Sequence, residues 1–492
     1  MSRHRRPLGV LILVAVLAAA CSGGRDEDPD PVVPPDATTT TTAPTTTTTP
    51  VPIPDPGPIA WSRCGAFDCG SVTVPIDYLD PALGTIDIAV IRRPADDPAQ
   101  RIGSVIINPG GPGSSGVRRV QRGFEVSPEV ARRFDVIGFD PRGVGASHPI
   151  TCGGAVPTFR SADLSPDNPE EVSALQGAAK AVADECAATE GPLLGHLGTV
   201  EVARDVEVLR KALGEATVSF VGISYGTLIG LLWAEAFPQS VRALVLDGVV
   251  DPAAGGLSTS TAQIRAMETM IQGVDRSCVE DPACPLRRYG GVQAAYDETA
   301  RRAERGDGQA AGVGPTQVTY AAFMASYGSE RWPELITALA GALEGRWDGI
   351  RTLAADFAGL VPYATFVLIT CLDTVHATDP AEWQRDAERS HRVSKRFGAA
   401  LANELLPCAY LPPATYRPHE VVAEGTPPIL VVGSTGDAAT PFEAAEEVAD
   451  TLDNGTLLRV EIDGHVALGD SPCATEAITR YLVDLAVPEA SC

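Results

Sequence analysis

The chain carries short, near-continuous apolar runs rich in valine and isoleucine: S-V-I-I-N, F-D-V-I-G-F-D, V-S-F-V-G-I and R-A-L-V-L-D-G. Runs without a polar face belong in a sheet covered on both sides, so they predict buried parallel strands. Upstream, V-T-V-P-I and T-I-D-I-A-V-I-R-R predict an antiparallel opening pair. Helical periodicity fills the gaps. In V-E-V-A-R-D-V-E-V-L-R-K-A-L-G, Val202, Val206 and Leu209 share one face and Gly214 stops the helix. After Pro252 the strand signals cease, and helical, Ala- and Arg-rich sequence runs until P-P-I-L-V-V-G and T-L-L-R-V-E-I-D-G. The pattern predicts an α/β chain. Residues 58–252 and 426–492 form a mostly parallel sheet with its helices, and a helical cap over 253–425 is inserted before the strand that carries the candidate acid.

One strand leads directly into G-I-S-Y-G, followed by the apolar helix T-L-I-G-L-L-W-A-E-A-F that runs to Pro238. Strand, tight turn and helix around G-x-S-x-G is the nucleophile-elbow pattern, in which the flanking glycines permit a strained turn that exposes the Ser224 hydroxyl. The competing reading is a serine that merely caps the helix. A nucleophilic serine needs a base, and the base needs an acid to orient it. Of seven histidines, His4 lies in the leader, and His376, His391 and His419 lie in the helical insertion or near its end. His465 follows the last strand and is the candidate base, with His148 as its rival upstream of the serine. Asp437, in V-V-G-S-T-G-D-A-A-T-P, is the candidate acid, completing the order serine, acid, histidine. Asp247 and Asp251 are the alternatives, better suited to shaping the turn D-G-V-V-D-P.

N-P-G-G-P-G-S-S-G, Asn108 to Gly116, follows an earlier strand and formally contains G-x-G-x-x-G, with Asp140 ending the next strand. Pro112 interrupts the turn and the motif does not follow the first strand, which argues against a dinucleotide site. An oxyanion hole fits better: the Gly111 amide would join the Tyr225 amide in holding a developing negative charge. Pro109 and Pro112 have no N–H to offer, so the choice lies among Gly110, Gly111 and Gly113. D-P-R-G-V-G-A-S, Asp140 to Ser147, reads as a structural turn near the site. No cofactor is called for, and no metal: His419-Glu420 lacks a second histidine at zincin spacing.

Composition adds the setting. A net charge of -25 argues against nucleic acid as a partner. Arg3, Arg5 and Arg6 precede the apolar run Leu8 to Ala20, and A-A-A-C resembles a lipobox, with Ala18 where leucine is usual. Residues 1–21 are therefore expected to be an export signal ending in a lipidated Cys21, a membrane anchor, with ordinary secretion after cleavage nearby as the alternative. Residues 22–57, dominated by threonine and proline, are expected to be a disordered stalk. Eleven cysteines less Cys21 leave ten, an even number that suits disulfides in an exported chain. Connectivity is not fixed by sequence. Proximity suggests Cys64–Cys69, Cys278–Cys284 and Cys473–Cys492, which leaves Cys152–Cys186 and Cys371–Cys408.

Taken in order, N-P-G-G-P-G-S-S-G, D-P-R-G-V-G-A-S, G-I-S-Y-G-T, D-G-V-V-D-P, G-D-A-A-T-P and C-A-T-E-A-I-T-R-Y-L resemble the secreted tripeptidyl aminopeptidases of high-GC Gram-positive bacteria. Those are α/β-hydrolases related to proline iminopeptidases, with a helical cap. The resemblance spans roughly Trp61 to Cys492. It implies Ser224 as nucleophile, Asp437 as orienting acid, His465 as base, and Thr440-Pro441 as the usual residues after the acid. It also implies cap cysteines at Cys371 and Cys408. The expected activity is an exported serine peptidase that removes tripeptides from free N-termini, with acidic cap side chains holding the α-amine. An esterase or lipase acting on envelope lipids or small esters would use the same residues. One departure is Val466, where glycine more often follows the histidine.

Overall fold

The computed structural model describes residues 52–123 and 126–492. Residues 1–51, which hold the expected signal, Cys21 and most of the threonine-proline stalk, lie outside the described residues. Nine strands form one sheet: β1 (Ser62–Cys64), β2 (Phe67–Pro75), β3 (Thr85–Arg93), β4 (Gly103–Asn108), β5 (Phe134–Phe139), β6 (Val218–Ile223), β7 (Val241–Asp247), β8 (Ile429–Ser434) and β9 (Gly455–Val460). Their spatial order is β1-β2-β3-β5-β4-β6-β7-β8-β9. β1, β2, β3 and β5 pair antiparallel, and every pairing from β5 through β4 to β9 is parallel.

The apolar runs became strands because both faces of the sheet are covered. Ile106, Phe220, Leu244 and Val431 pack into one hydrophobic cluster, and their chain neighbours Ile107, Val221, Val245 and Val432 into the other. Every residue of β4, β5, β6 and β8 is buried. The chain leaves β4 for β5 on one side, then returns to lay β6 on the other. The crevice at the carboxyl ends of β4 and β6 is therefore the point where winding reverses, the usual ligand position in an open α/β sheet.

The helix Thr199–Ala212 buries Val202, Val206 and Leu209 as its periodicity requires. Between β7 and β8 the described chain is helical, from Gly256–Glu280 through Tyr363–Asp373 to Gly398–Asn403. β1, a three-residue strand without an apolar pattern, has no sequence signal; it is held to β2 by the Cys64–Cys69 bridge. The other bridges are Cys152–Cys186, Cys278–Cys284, Cys371–Cys408 and Cys473–Cys492, so all five pairings suggested by proximity are present.

The D-P-R-G-V-G-A-S segment is structural, as expected. Arg142, fully buried, pairs with Asp205 at 2.7 Å and donates to the carbonyls of Pro75, Ile76 and His196. Tyr78 completes the group through a 2.7 Å hydrogen bond to Asp205. Asp140 accepts from the Ser115 hydroxyl and from the amides of Val117 and Ala146. With those bonds made inside the core, its carboxylate holds the glycine loop rather than facing a ribose.

Candidate active site

Ser224 sits between β6 and the helix Tyr225–Ala236 with φ 55° and ψ -126°. That left-handed conformation is uncommon for a residue with a Cβ and is stabilised from outside. The Ser224 amide donates to the Asp247 carbonyl at 2.8 Å, and its carbonyl accepts from the Thr227 amide and hydroxyl. The two flanking glycines are sterically required. A Cβ at Gly222 would stand 2.4 Å from the Gly226 carbonyl oxygen, and one at Gly226 would stand 2.7 Å from that of Asn108. The serine is thus more than a helix cap, and its side chain makes no capping bond.

Asp437 and His465 are brought together by the loops after β8 and β9. His465 Nδ1 lies 2.8 Å from Asp437 Oδ2, and both side chains are almost wholly buried. Asp437 is fixed in turn by the amides of Ala439 and Thr440 at 2.8 and 2.9 Å, and by the Thr440 hydroxyl at 2.9 Å. Burial pulls the His465 pKa down, but the charge and hydrogen bond of Asp437 outweigh it and hold the imidazole above its ordinary value. His148, the rival base, is exposed and does not line the cavity that Ser224 and His465 share.

That cavity measures about 1080 Å³ and lies between the sheet edge and the helical insertion. Gly111 and Tyr225 line it beside Ser224. Gly110 approaches the elbow so closely that a Cβ there would stand 3.1 Å from the Tyr225 nitrogen. Its own amide donates to the Asn108 side chain at 2.9 Å, so it is not available to a substrate oxygen. Gly113 packs against Thr365 of the insertion.

The two alternative acids have other work. Asp251 shapes its turn, accepting from the Ala253 amide at 2.8 Å. Asp247 does not shape the turn that follows it, as the sequence suggested. Its fully buried carboxylate accepts from the amides of Ala467 at 3.0 Å and Leu468 at 2.7 Å, and so anchors the loop carrying His465. Burial raises its pKa to about 6, while the two amides pull the other way.

Three contacts made by the insertion have no signature in the sequence. Gln263 donates to the Ala439 carbonyl at 2.7 Å, bracing the acid loop. The Tyr327 carbonyl accepts from the His465 amide at 3.1 Å, and its ring stands edge-on to the imidazole. Asp373 accepts from the Thr199 amide at 2.8 Å and hydroxyl at 2.6 Å, and the Tyr225 hydroxyl stands 3.4 Å from it.

Asp373 and Glu404 are the carboxylates that the insertion contributes to the cavity wall, and burial raises the pKa of each to about 7. Their bonding differs. Asp373 is satisfied by the Thr199 amide and hydroxyl, with the Tyr225 hydroxyl beside it. Among the described residues no donor hydrogen-bonds to the Glu404 carboxylate, although Tyr363 donates to that residue's carbonyl. The nearby Arg160 guanidinium lowers the Glu404 pKa somewhat, but it is directed to the Ala358 carbonyl and lies over the rings of Tyr320 and Tyr363.

Comparison with known proteins agrees with this architecture. A family model described as alpha/beta hydrolase fold matches residues 103–472. The serine protease Hip1 of Mycobacterium tuberculosis is 32% identical over 473 residues, covering 88% of this chain and 90% of the relative. Carboxylesterase B of the same organism is 31% identical over 474 residues, covering 88% and 89%. The tripeptidyl aminopeptidase of Streptomyces lividans is 32% identical over 456 residues, covering 86% and 84%. The chain belongs to the α/β-hydrolase family and is a serine hydrolase of the tripeptidyl-aminopeptidase-like kind.

Proposed function

We propose that the protein is a serine peptidase that removes short peptides, tripeptides foremost, from free N-termini. Ser224 Oγ attacks the scissile carbonyl while His465 Nε2 takes its proton, with Asp437 holding the imidazole by its Nδ1–H. The amides of Tyr225 and Gly111 hold the oxyanion, and Tyr225, as the first residue of its helix, has an N–H with no partner within that helix. The protonated His465 then gives its proton to the leaving amine, the peptide acyl group remains on Ser224, and water releases it by the same path in reverse.

The observation that carries the peptidase reading is Glu404. Glu404 lines the cavity, is 9% exposed and has no protein donor on its carboxylate among the described residues, which leaves that carboxylate to pair with a cation that enters the cavity. The α-ammonium of a peptide supplies that charge with three N–H donors; the acyl chain of an ester supplies neither. The apolar part of the same wall, including Phe323, Phe357 and Leu401, accommodates side chains. It would equally suit the acyl chain of an ester, which with the carboxylesterase relative keeps that activity as the second reading.

Five disulfides support an extracytoplasmic setting, with Cys21 as the lipid anchor. The test is a profile of free tripeptide p-nitroanilides, their N-acetylated counterparts and p-nitrophenyl esters, with Ser224→Ala as control. Turnover of the free peptides well above the acetylated ones is expected. Cleavage of acetylated peptides or esters alone would overturn the exopeptidase reading.

A further inference from the structure

The residue after the candidate nucleophile is tied to the helical insertion by a buried chain of polar groups. Tyr225 begins the helix behind Ser224 and Thr199 begins the helix Thr199–Ala212. Asp373 ends the insertion helix Tyr363–Asp373. All three are buried: Thr199 is 0% exposed, Asp373 6% and Tyr225 8%. The Thr199 hydroxyl hydrogen-bonds both the Tyr225 hydroxyl and Asp373 Oδ2. Asp373 Oδ1 accepts from the Thr199 amide, and its Oδ2 also faces the Tyr225 hydroxyl. A hydroxyl donates only once. With the Thr199 proton on an ionised Asp373, the Tyr225 proton points to Thr199, and each bond polarises the next. The approach is close. A Cβ at position 198 would stand 3.1 Å from Asp373 Oδ1 and 3.3 Å from the Leu372 side chain.

We infer that Asp373 is a positioning residue: through the hydroxyls of Thr199 and Tyr225 it fixes the residue whose amide faces the oxyanion, and so makes that half of the site depend on how the insertion is seated. Asp373 lines the cavity, yet both its oxygens are already engaged, so it is not the group that receives a substrate cation. Tyr225 is held at both ends. Its backbone follows the strained Ser224, and its side-chain tip is fastened through the Thr199 hydroxyl to Asp373 of the insertion. An amide displaced by a fraction of an ångström from a developing oxyanion loses much of its effect on rate.

The inference rests on Ser224 being the nucleophile, and its test uses a substrate that needs no N-terminal recognition. Hydrolysis of p-nitrophenyl acetate by the full chain is compared for wild type, Asp373→Asn, Thr199→Val, Thr199→Ser and Tyr225→Phe, with melting temperatures alongside. The expected result is a kcat about tenfold or more below wild type for Asp373→Asn and Thr199→Val. KM should stay within about twofold, and Thr199→Ser should restore most of the rate because it keeps the hydroxyl. Should Asp373→Asn fail to fold, Tyr225→Phe carries the test, because it removes one hydroxyl and leaves the carboxylate paired with Thr199.

Wild-type kcat in a folded Asp373→Asn or in Tyr225→Phe overturns the inference. So does an Asp373→Asn variant whose ester kcat is unchanged while KM rises only for free-amine peptides, since Asp373 would then bind substrate. Full esterase activity in Ser224→Ala would sink the site assignment instead, and that outcome is visible separately.

Discussion

Replacing Glu404 by glutamine keeps the shape of the side chain and removes its charge, which makes it the sharpest probe of substrate choice. A hydrogen bond to a charged group contributes about 1.5–3 kcal/mol. Loss of the ammonium contact should therefore lower kcat/KM for free tripeptide p-nitroanilides by about ten- to a hundredfold and leave p-nitrophenyl esters untouched. Acidity sharpens the test. Burial sets the empty Glu404 pKa at about 7, and an α-amine titrates near ~7.7–8.0. Ionised carboxylate and charged ammonium coexist best between those values. The ratio of kcat/KM for free peptide over ester should fall as pH drops below about 7, and fall again above about 8. Taking the ratio cancels the acid limb that both substrates share through His465. In Glu404→Gln the acid limb of the ratio should vanish.

Stability moves the opposite way. A carboxyl whose folded pKa is raised contributes fully below its unfolded value near ~4.3, and that contribution is lost as pH rises through about 7. The loss amounts to roughly 3 kcal/mol, so the glutamine variant should be the more stable protein at pH 8 and the poorer peptidase. Urea titrations at pH 5 and pH 8 read the first half, initial rates the second. A folded Glu404→Gln enzyme that keeps the wild-type ratio of free-peptide to ester turnover would refute the ammonium assignment.

Asp437→Asn should leave the fold intact and reduce kcat by about 10⁴, because the amide favours the imidazole tautomer with its proton on Nε2, which cannot act as base toward Ser224; a loss under tenfold in steady-state assays would exclude Asp437 as the acid. Val466, a β-branched residue at φ +78°, occupies a conformation that costs about 1–2 kcal/mol. Val466→Gly relieves that strain at an entropic cost near ~0.5–1 kcal/mol, so the urea midpoint should rise slightly with activity kept, and a clear fall would show that the valine packs more than it strains. Asp205→Ala leaves the fully buried Arg142 charge unpaired and should destabilise by about 3–5 kcal/mol. A shift under about 1 kcal/mol in guanidinium titrations would mean that water or backbone carbonyls satisfy the guanidinium.

The sheet was legible because its strands are buried on both faces, and a run such as Ser104 to Ile107 has no other place to go. β1 was not, since three partly exposed residues held by a bridge carry no periodicity. Ser224, Asp437 and His465 could be brought forward as candidates because each ends or follows a strand; chain order set aside His148, and the helical insertion set aside His376, His391 and His419. Asp247 reads as a turn residue from its neighbours, and only the fold shows that it reaches the loop beyond His465. Glu404 and Asp373 were invisible for a similar reason. Helical periodicity in the insertion tells which face is apolar, but not which acid meets a donor across the cavity.

The Cys371–Cys408 bridge joins two places that matter separately. Cys371 is on the helix that ends in Asp373, and Cys408 is on the short turn Leu406–Tyr410 that follows Glu404. In the proposed reading one covalent link therefore holds both Asp373, on the oxyanion side, and Glu404, the group assigned to the substrate's amine. Where thiols are kept reduced the link does not persist, and the chain would have neither group firmly placed. The bond thus ties the placement of both groups to the redox state of their surroundings.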